Sequence, residues 1–150
     1  DDLRSIVDGM FARMFESQGV GLAAPQVGLS SRIFVLNDEG DVEKPDRNLA
    51  LINPTIKTLK GDKVRFEEGC LSLTGVHCDV TRPDKCLVHA YDVEGKAFEM
   101  EAEGFVSRII QHEYDHLQGV LLVDRMTPSD KMRNRAAVED LKAQYRADRS

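Results

Sequence analysis

A chain of 150 residues, 41% hydrophobic and 31% charged, is long enough to enclose one core and too apolar to stay disordered. A net charge of −6 and the lack of any membrane-length apolar run argue against a membrane protein and against indiscriminate binding to DNA. Three cysteines, Cys70, Cys78 and Cys86, are too few and odd in number for a disulfide framework and fit a reducing compartment. One domain over residues 1–150 is expected, and the opening on Asp1 rather than methionine leaves room for an upstream segment.

Leu3, Ile6, Val7, Met10, Phe11, Met14 and Phe15 recur at helical spacing, which predicts an amphipathic helix over residues 1–18, ended by Gly19. The Met and Phe stripe reads as core packing. GVGLAAPQVG, Gly19 to Gly28, leaves little side chain between its backbone and anything that approaches it. Taken alone it is a tight connection with Gln26 solvated. Beside a metal-binding helix it becomes a backbone edge for an extended ligand, with the Gln26 amide as an oxyanion donor.

Arg32–Asn37 and Leu49–Pro54 read as short strands, and 38–48 between them as an unstructured polar loop. Thr55–Leu59 and Lys63–Phe66 read as a hairpin turning at Gly61-Asp62. EEGCLS follows at Glu67 to Ser72, where Gly69 clears space before Cys70 and the Leu71 N–H can face the same space as the sulfur. Val76–Thr81 and Cys86–Val93 read as strands broken by Arg82-Pro83-Asp84, with Cys78 and Cys86 as small hydrophobes and His77 and His89 uncommitted. Ala97–Glu103 alternates strictly and predicts an antiparallel strand packed on one side. Thr127-Pro128-Ser129-Asp130 starts a helix over 128–146, in a tail with seven Arg/Lys against four Asp/Glu from Arg125 to Ser150.

FVSRIIQHEYDHLQG, Phe105 to Gly119, predicts the central helix, 105–118. His112 and His116 are four apart and share one face, so two imidazoles can reach one cation. Glu113 is offset in angle and stands beside such a cation, where a base acting on water belongs. Phe105 and Ile109 lie on the same stripe and border the site with apolar surface. HExxH alone is a short pattern that also arises by chance, and it needs a third ligand. A histidine six residues after His116 is absent, because that position is Leu122. Glu139 is the only glutamate downstream and lies on a polar helix; Cys70 is the better candidate. The class expected is α+β: antiparallel and mixed strands around a central metal-binding helix, with an N-terminal and a C-terminal helix.

GVGLAAPQ, EGCLS and QHEYDHLQG resemble, in order and spacing, the three motifs of the peptide deformylases, closest to the bacterial and plastid type. The resemblance covers nearly the whole chain. The chain departs from the family in lacking the leading segment before the first helix. Thr74 stands where proline is common, and His77 near where many members place a substrate-contacting arginine.

The resemblance implies hydrolysis of the N-formyl group from formylmethionine nascent peptides, in a bacterial or phage-infected cytoplasm or an organellar stroma or matrix. It implies one divalent metal on Cys70, His112 and His116, natively Fe²⁺, where the ligand set also suits Zn²⁺, Ni²⁺ or Co²⁺. Glu113 is the expected base, with Gln26 and the Leu71 N–H holding the oxyanion. Val20, Gly21 and Gly69 would pair with the substrate backbone, and Phe66, Phe105 and Ile109 would receive the methionine side chain. A monomer is expected, with ribosome contact through the basic C-terminal helix. Two other readings stay open on the residues alone: an HExxH endopeptidase ligated by Glu139, and a non-catalytic metal-stabilised module that docks on the ribosome.

Overall fold

The computed structural model describes residues 2–69, 77–120 and 125, with backbone only at 69, 77 and 78. Cys70, Leu71 and the expected helix 128–146 lie outside these residues. By internal contact the chain groups into two compact units, Asp1–Lys63 with Pro83–Val120, and Val64–Arg82 with Leu121–Ser150.

In chain order the elements are helix α1 (Asp2–Glu16), strands β1 (Gly21–Ala23), β2 (Ile33–Asn37), β3 (Asn48–Gly69), β4 (His77–Tyr91) and β5 (Ala97–Glu103), and helix α2 (Gly104–Leu117). The strands form one sheet in sequence order, β1-β2-β3-β4-β5. Antiparallel registers pair Leu22 with Val35, Phe34 with Leu51, and Val88 with Met100. This is the α+β arrangement expected, with antiparallel strands about the helix that carries the histidines.

The apolar run Ile33-Phe34-Val35-Leu36 explains the layering of the first unit. A strand with one wet face alternates polar and apolar residues; a strand without alternation must be covered on both sides. Ile33 and Val35 pack with Leu22 against Val7, Met10 and Met14 of α1. Phe34 and Leu36 face the other way and pack with Ala23, Leu51, Val88 and Ala102 against Ile109 and Ile110 of α2. Phe34, Met10 and Met14 are fully buried, each worth roughly 1.5–3 kcal/mol of transfer free energy. The two helices thus lie on opposite faces of the strand nearest the glycine-rich edge.

Four expectations are corrected. The first helix does not reach residue 18, and Gly19 is not its left-handed terminator. Gln18 takes φ +58°, and the closing turn is made by Gln18 N–H to Phe15 O at 3.0 Å and Gly19 N–H to Met14 O at 2.9 Å. The loop after β2 is built, not unstructured. Asn37, fully buried, donates through Nδ2 to Asp41 O, Lys44 O and Asn48 Oδ1 and accepts at Oδ1 from the N–H groups of Glu39 and Asp41. A 3₁₀ turn, Pro45–Arg47, completes the loop.

Gly61-Asp62 does not turn a hairpin, because β3 runs unbroken from Asn48 to Gly69. Gly61 has φ +87°, and a Cβ there would come within 3.3 Å of Lys85 Cγ, so the glycine serves a close approach to the neighbouring strand. Arg82-Pro83-Asp84 does not break β4, which spans His77–Tyr91. Within the second unit Arg82 forms a two-pronged ion pair with Glu68, Nε to Oε2 at 2.8 Å and Nη2 to Oε1 at 3.0 Å. Both side chains are about 6% exposed.

Candidate active site

Helix α2 begins where Gly104, φ +64°, turns the chain out of β5. It ends on Gly119, φ +76°, with Val120 N–H donating to Asp115 O at 2.8 Å and Gly119 N–H to His116 O at 3.2 Å. Val106, Ile109, Ile110, Tyr114 and Leu117 belong to the core on one side, which fixes the helix face that is left for the histidines.

On that face the rings of His112 and His116 lie with centroids 5.0 Å apart and planes at 66°. Both residues are half-buried. Two imidazoles so placed supply a nitrogen pair of the kind that binds borderline divalent cations. Among the described residues no group of three His, Cys, Asp or Glu side chains is arranged to hold a metal. Cys70 and Glu139 are both outside those residues.

Glu113 is 5% exposed, so its carboxylate is held within the protein between the histidines' helix and strand β1. Gly21 makes that position available: a Cβ at residue 21 would stand 2.8 Å from Glu113 Oε2 and 2.9 Å from Ile109 Cγ2. The glycine-rich stretch and the helix were matched by the sequence only as two motifs; here they interlock. Val20 O accepts from Asn37 N–H at 2.9 Å, and Gly21 to Ala23 pair with Phe34 to Leu36. Among the described residues strand β1 has one neighbour in the sheet, β2.

Gln26 lies in the 3₁₀ turn Ala24–Val27 that follows β1. Its Oε1 accepts from Ala23 N–H at 2.8 Å, which orients the carboxamide and makes Nε2 its donor end. Of the apolar residues expected around the site, Ile109 is 4% exposed and already enclosed by the core, whereas Phe105 presents nearly half its surface. Phe66, in the other unit, is 51% exposed.

Several polar residues that support α2 carried no clear signal in the sequence. Gln111, 5% exposed, donates through Nε2 to Pro83 O at 2.8 Å and Ser107 Oγ at 3.1 Å. Arg32 donates to Gln118 Oε1 at 2.8 Å and Pro54 O at 3.0 Å, with its guanidinium 6.0 Å from the Tyr114 ring centroid. A polar residue inside an apolar helix face was the only available hint for Gln111; none marked Arg32.

The family model for polypeptide deformylase matches residues 1–132. The chain belongs to the peptide deformylase family. It is 49% identical over 127 residues to the peptide deformylase of the cyanobacterium Picosynechococcus, a match covering 84% of this chain and 67% of that protein. It is 40% identical over 145 residues to peptide deformylase 1B, chloroplastic/mitochondrial, of Arabidopsis thaliana, covering 97% of this chain and 53% of the relative. The chain therefore spans between about half and two thirds of the length of these deformylases. Among solved structures, a peptide deformylase of Plasmodium falciparum aligns with a TM-score of 0.90 at 40% identity, over 100% of this chain and 87% of that one. Neither the endopeptidase reading nor the docking-module reading finds support in these deformylase likenesses. No helix among the described residues is long and apolar enough to cross a membrane.

Proposed function

We propose that this chain is a metal-dependent hydrolase that removes the formyl group from formylmethionine at the start of nascent polypeptides. The observation that carries the reading is the juxtaposition of the two imidazoles, 5.0 Å apart, with the buried Glu113 carboxylate under the Gly21 backbone. His112 and His116 would hold one divalent cation together with Cys70, assigned from its place in EGCLS. That assignment leaves a coordination position for water or substrate, as a catalytic site requires. When bound, such a cation supplies Lewis-acid polarisation of the formyl oxygen and makes water acidic enough to react near neutral pH. Fe²⁺ is the proposed native ion, and Zn²⁺, Ni²⁺ or Co²⁺ suit the same donors.

The rest of the chemistry falls to the chain. Glu113 accepts the proton of the attacking water at its carboxylate and returns it to the amine nitrogen as the C–N bond breaks, giving formate and a free amino terminus. Gln26 Nε2 and the Leu71 N–H hold the oxyanion; one such donor is typically worth about 3 kcal/mol. The backbone of Val20, Gly21 and Gly69 aligns the peptide as an added strand. Phe66, Phe105 and Ile109 border the methionine side chain, with Phe105 offering the exposed area. The proposed setting is a bacterial cytoplasm or an organelle, in line with the bacterial and plastid relatives, and the proposed contact with the ribosome is through residues 128–146.

Formate release from a formyl-Met peptide, with Fe²⁺, Ni²⁺ or Zn²⁺ loaded anaerobically, tests the reading. Expected are turnover by the unaltered chain, loss of turnover with metal retained in Glu113→Ala, and loss of metal in Cys70→Ala. Release of no formate under any metal would overturn it.

A further inference from the structure

We infer that Gln111 is a positioning residue: it fixes the rotation of α2 about its own axis, and so the direction in which His112 and Glu113 project. The inference rests on the reading that His112 and His116 hold a cation.

Gln111 immediately precedes His112, so its side chain leaves the helix about 100° away from the imidazole. It is buried at 5% exposure, on the side of the helix turned to Pro83 of β4, next to the fully buried Ile110. A buried carboxamide in such company costs a few kcal/mol unless its hydrogen bonds are made. Here Nε2 donates to Pro83 O of β4 at 2.8 Å and to Ser107 Oγ, one turn earlier, at 3.1 Å. Ser107 is fully buried and also hydrogen-bonds the Cys86 thiol. The result is a polar seam from helix to strand, Cys86–Ser107–Gln111–Pro83, inside an aliphatic interface.

Apolar packing alone would stabilise this interface at least as well, since replacing a satisfied polar pair by hydrocarbon of like shape is near neutral. What hydrocarbon lacks is direction. Aliphatic surfaces tolerate small rotations and slides, whereas a hydrogen bond weakens steeply off its axis. On the other flank of α2 the Gly21 backbone leaves no room for even a methyl group before Glu113 and Ile109. Rotation one way drives Glu113 into β1; rotation the other way breaks Gln111 from Pro83. The helix is held between a steric stop and a directional tie, and the residues between them are the ones proposed to meet the cation and the water.

The test uses the Co²⁺-loaded protein, its visible absorption band and its rate of metal loss to a chelator. Gln111→Met keeps the volume and removes the donor. The expected result is metal loss faster by about tenfold or more, the usual scale for groups supporting a ligand, with a shifted Co²⁺ band. Ile110→Val, a neighbouring buried change that leaves the seam intact, should keep the native band and rate at a comparable Tm. Should Gln111→Met fail to fold, Ser107→Ala, which removes only the second partner, is expected to shift the band in the same direction. A native band and rate in the folded Gln111→Met or, in its place, Ser107→Ala, or the same change in Ile110→Val, overturns the inference. Failure of the unaltered chain to bind Co²⁺ would instead remove the site on which it rests.

Discussion

Gly21 and Glu113 occupy adjoining space so tightly that a Cβ on the glycine would lie 2.8 Å from the carboxylate Oε2. The contact makes a testable claim about activity. Gly21→Ala must push Glu113 or Ile109 aside, and if Glu113 is the base proposed above, a displacement of about 1 Å costs on the order of 10²-fold in rate. A fall of that size in formate release, with metal content unchanged, is expected; near-native turnover would show that Glu113 does not need this position.

Glu68 and Arg82 form a buried pair in which each side chain is about 6% exposed. Removing one partner takes a two-pronged ionic contact away from a buried charge, so Glu68→Ala or Arg82→Ala should each destabilise, by up to about 3–5 kcal/mol. Replacing both by leucine should cost distinctly less than the sum. Urea unfolding of the two single variants and the double variant checks the comparison.

Asn37 organises the loop that follows β2 through five side-chain hydrogen bonds. At a net value of about 1 kcal/mol for a typical bond, with shared donors discounted, Asn37→Ala should lose roughly 2–4 kcal/mol. Amide exchange at Glu39 and Asp41 should accelerate with it. Unchanged protection there would mean that the backbone, not Asn37, holds the loop.

Arg32 joins the last turn of α2 to β3 through Gln118 and Pro54. Arg32 is itself exposed, so the tie is worth no more than about 1 kcal/mol. Its effect should be local: Arg32→Ala is expected to raise amide exchange at Gly119 and Val120, which close the helix, while that of α1 stays as it was.

Burial raises the Cys86 thiol above its ordinary value of 9.0, with the Ser107 hydrogen bond acting in the opposite sense. The unfolded chain therefore releases this proton first as pH rises. The thiol's contribution to stability is complete below pH 9 and declines above it, towards the higher folded value. The unfolding midpoint should therefore fall as pH rises above 9, and fall less steeply in Cys86→Ala. Alkylation mapped to Cys86 should be negligible in the native protein at pH 8.

The features legible in the sequence were those with one strong period or one strong motif. The 105–118 helix appears as Gly104–Leu117, and the alternating strand 97–103 as Ala97–Glu103. The pairing of His112 with His116 followed from spacing alone. Misread features were those whose local signal was overruled by a distant partner. Gly61-Asp62 looks like a turn, but its glycine faces Lys85. Arg82-Pro83-Asp84 looks like a break, but Glu68 holds the arginine and Gln111 takes the Pro83 carbonyl. The polar loop after β2 looks formless because the residue that shapes it, Asn37, precedes it inside an apolar strand. Window-based patterns see neighbours in sequence, and each of these contacts reaches outside its window.

Strand β1 is three residues long and runs directly into the Ala24–Val27 turn, with Pro25 inside it. A longer unpaired margin would invite another copy of the protein to add its own strand and begin an aggregate. Three residues, stopped by a proline, leave little backbone on which a neighbouring copy could be templated. The same brevity would limit the added strand proposed for this margin to the first residues of a peptide.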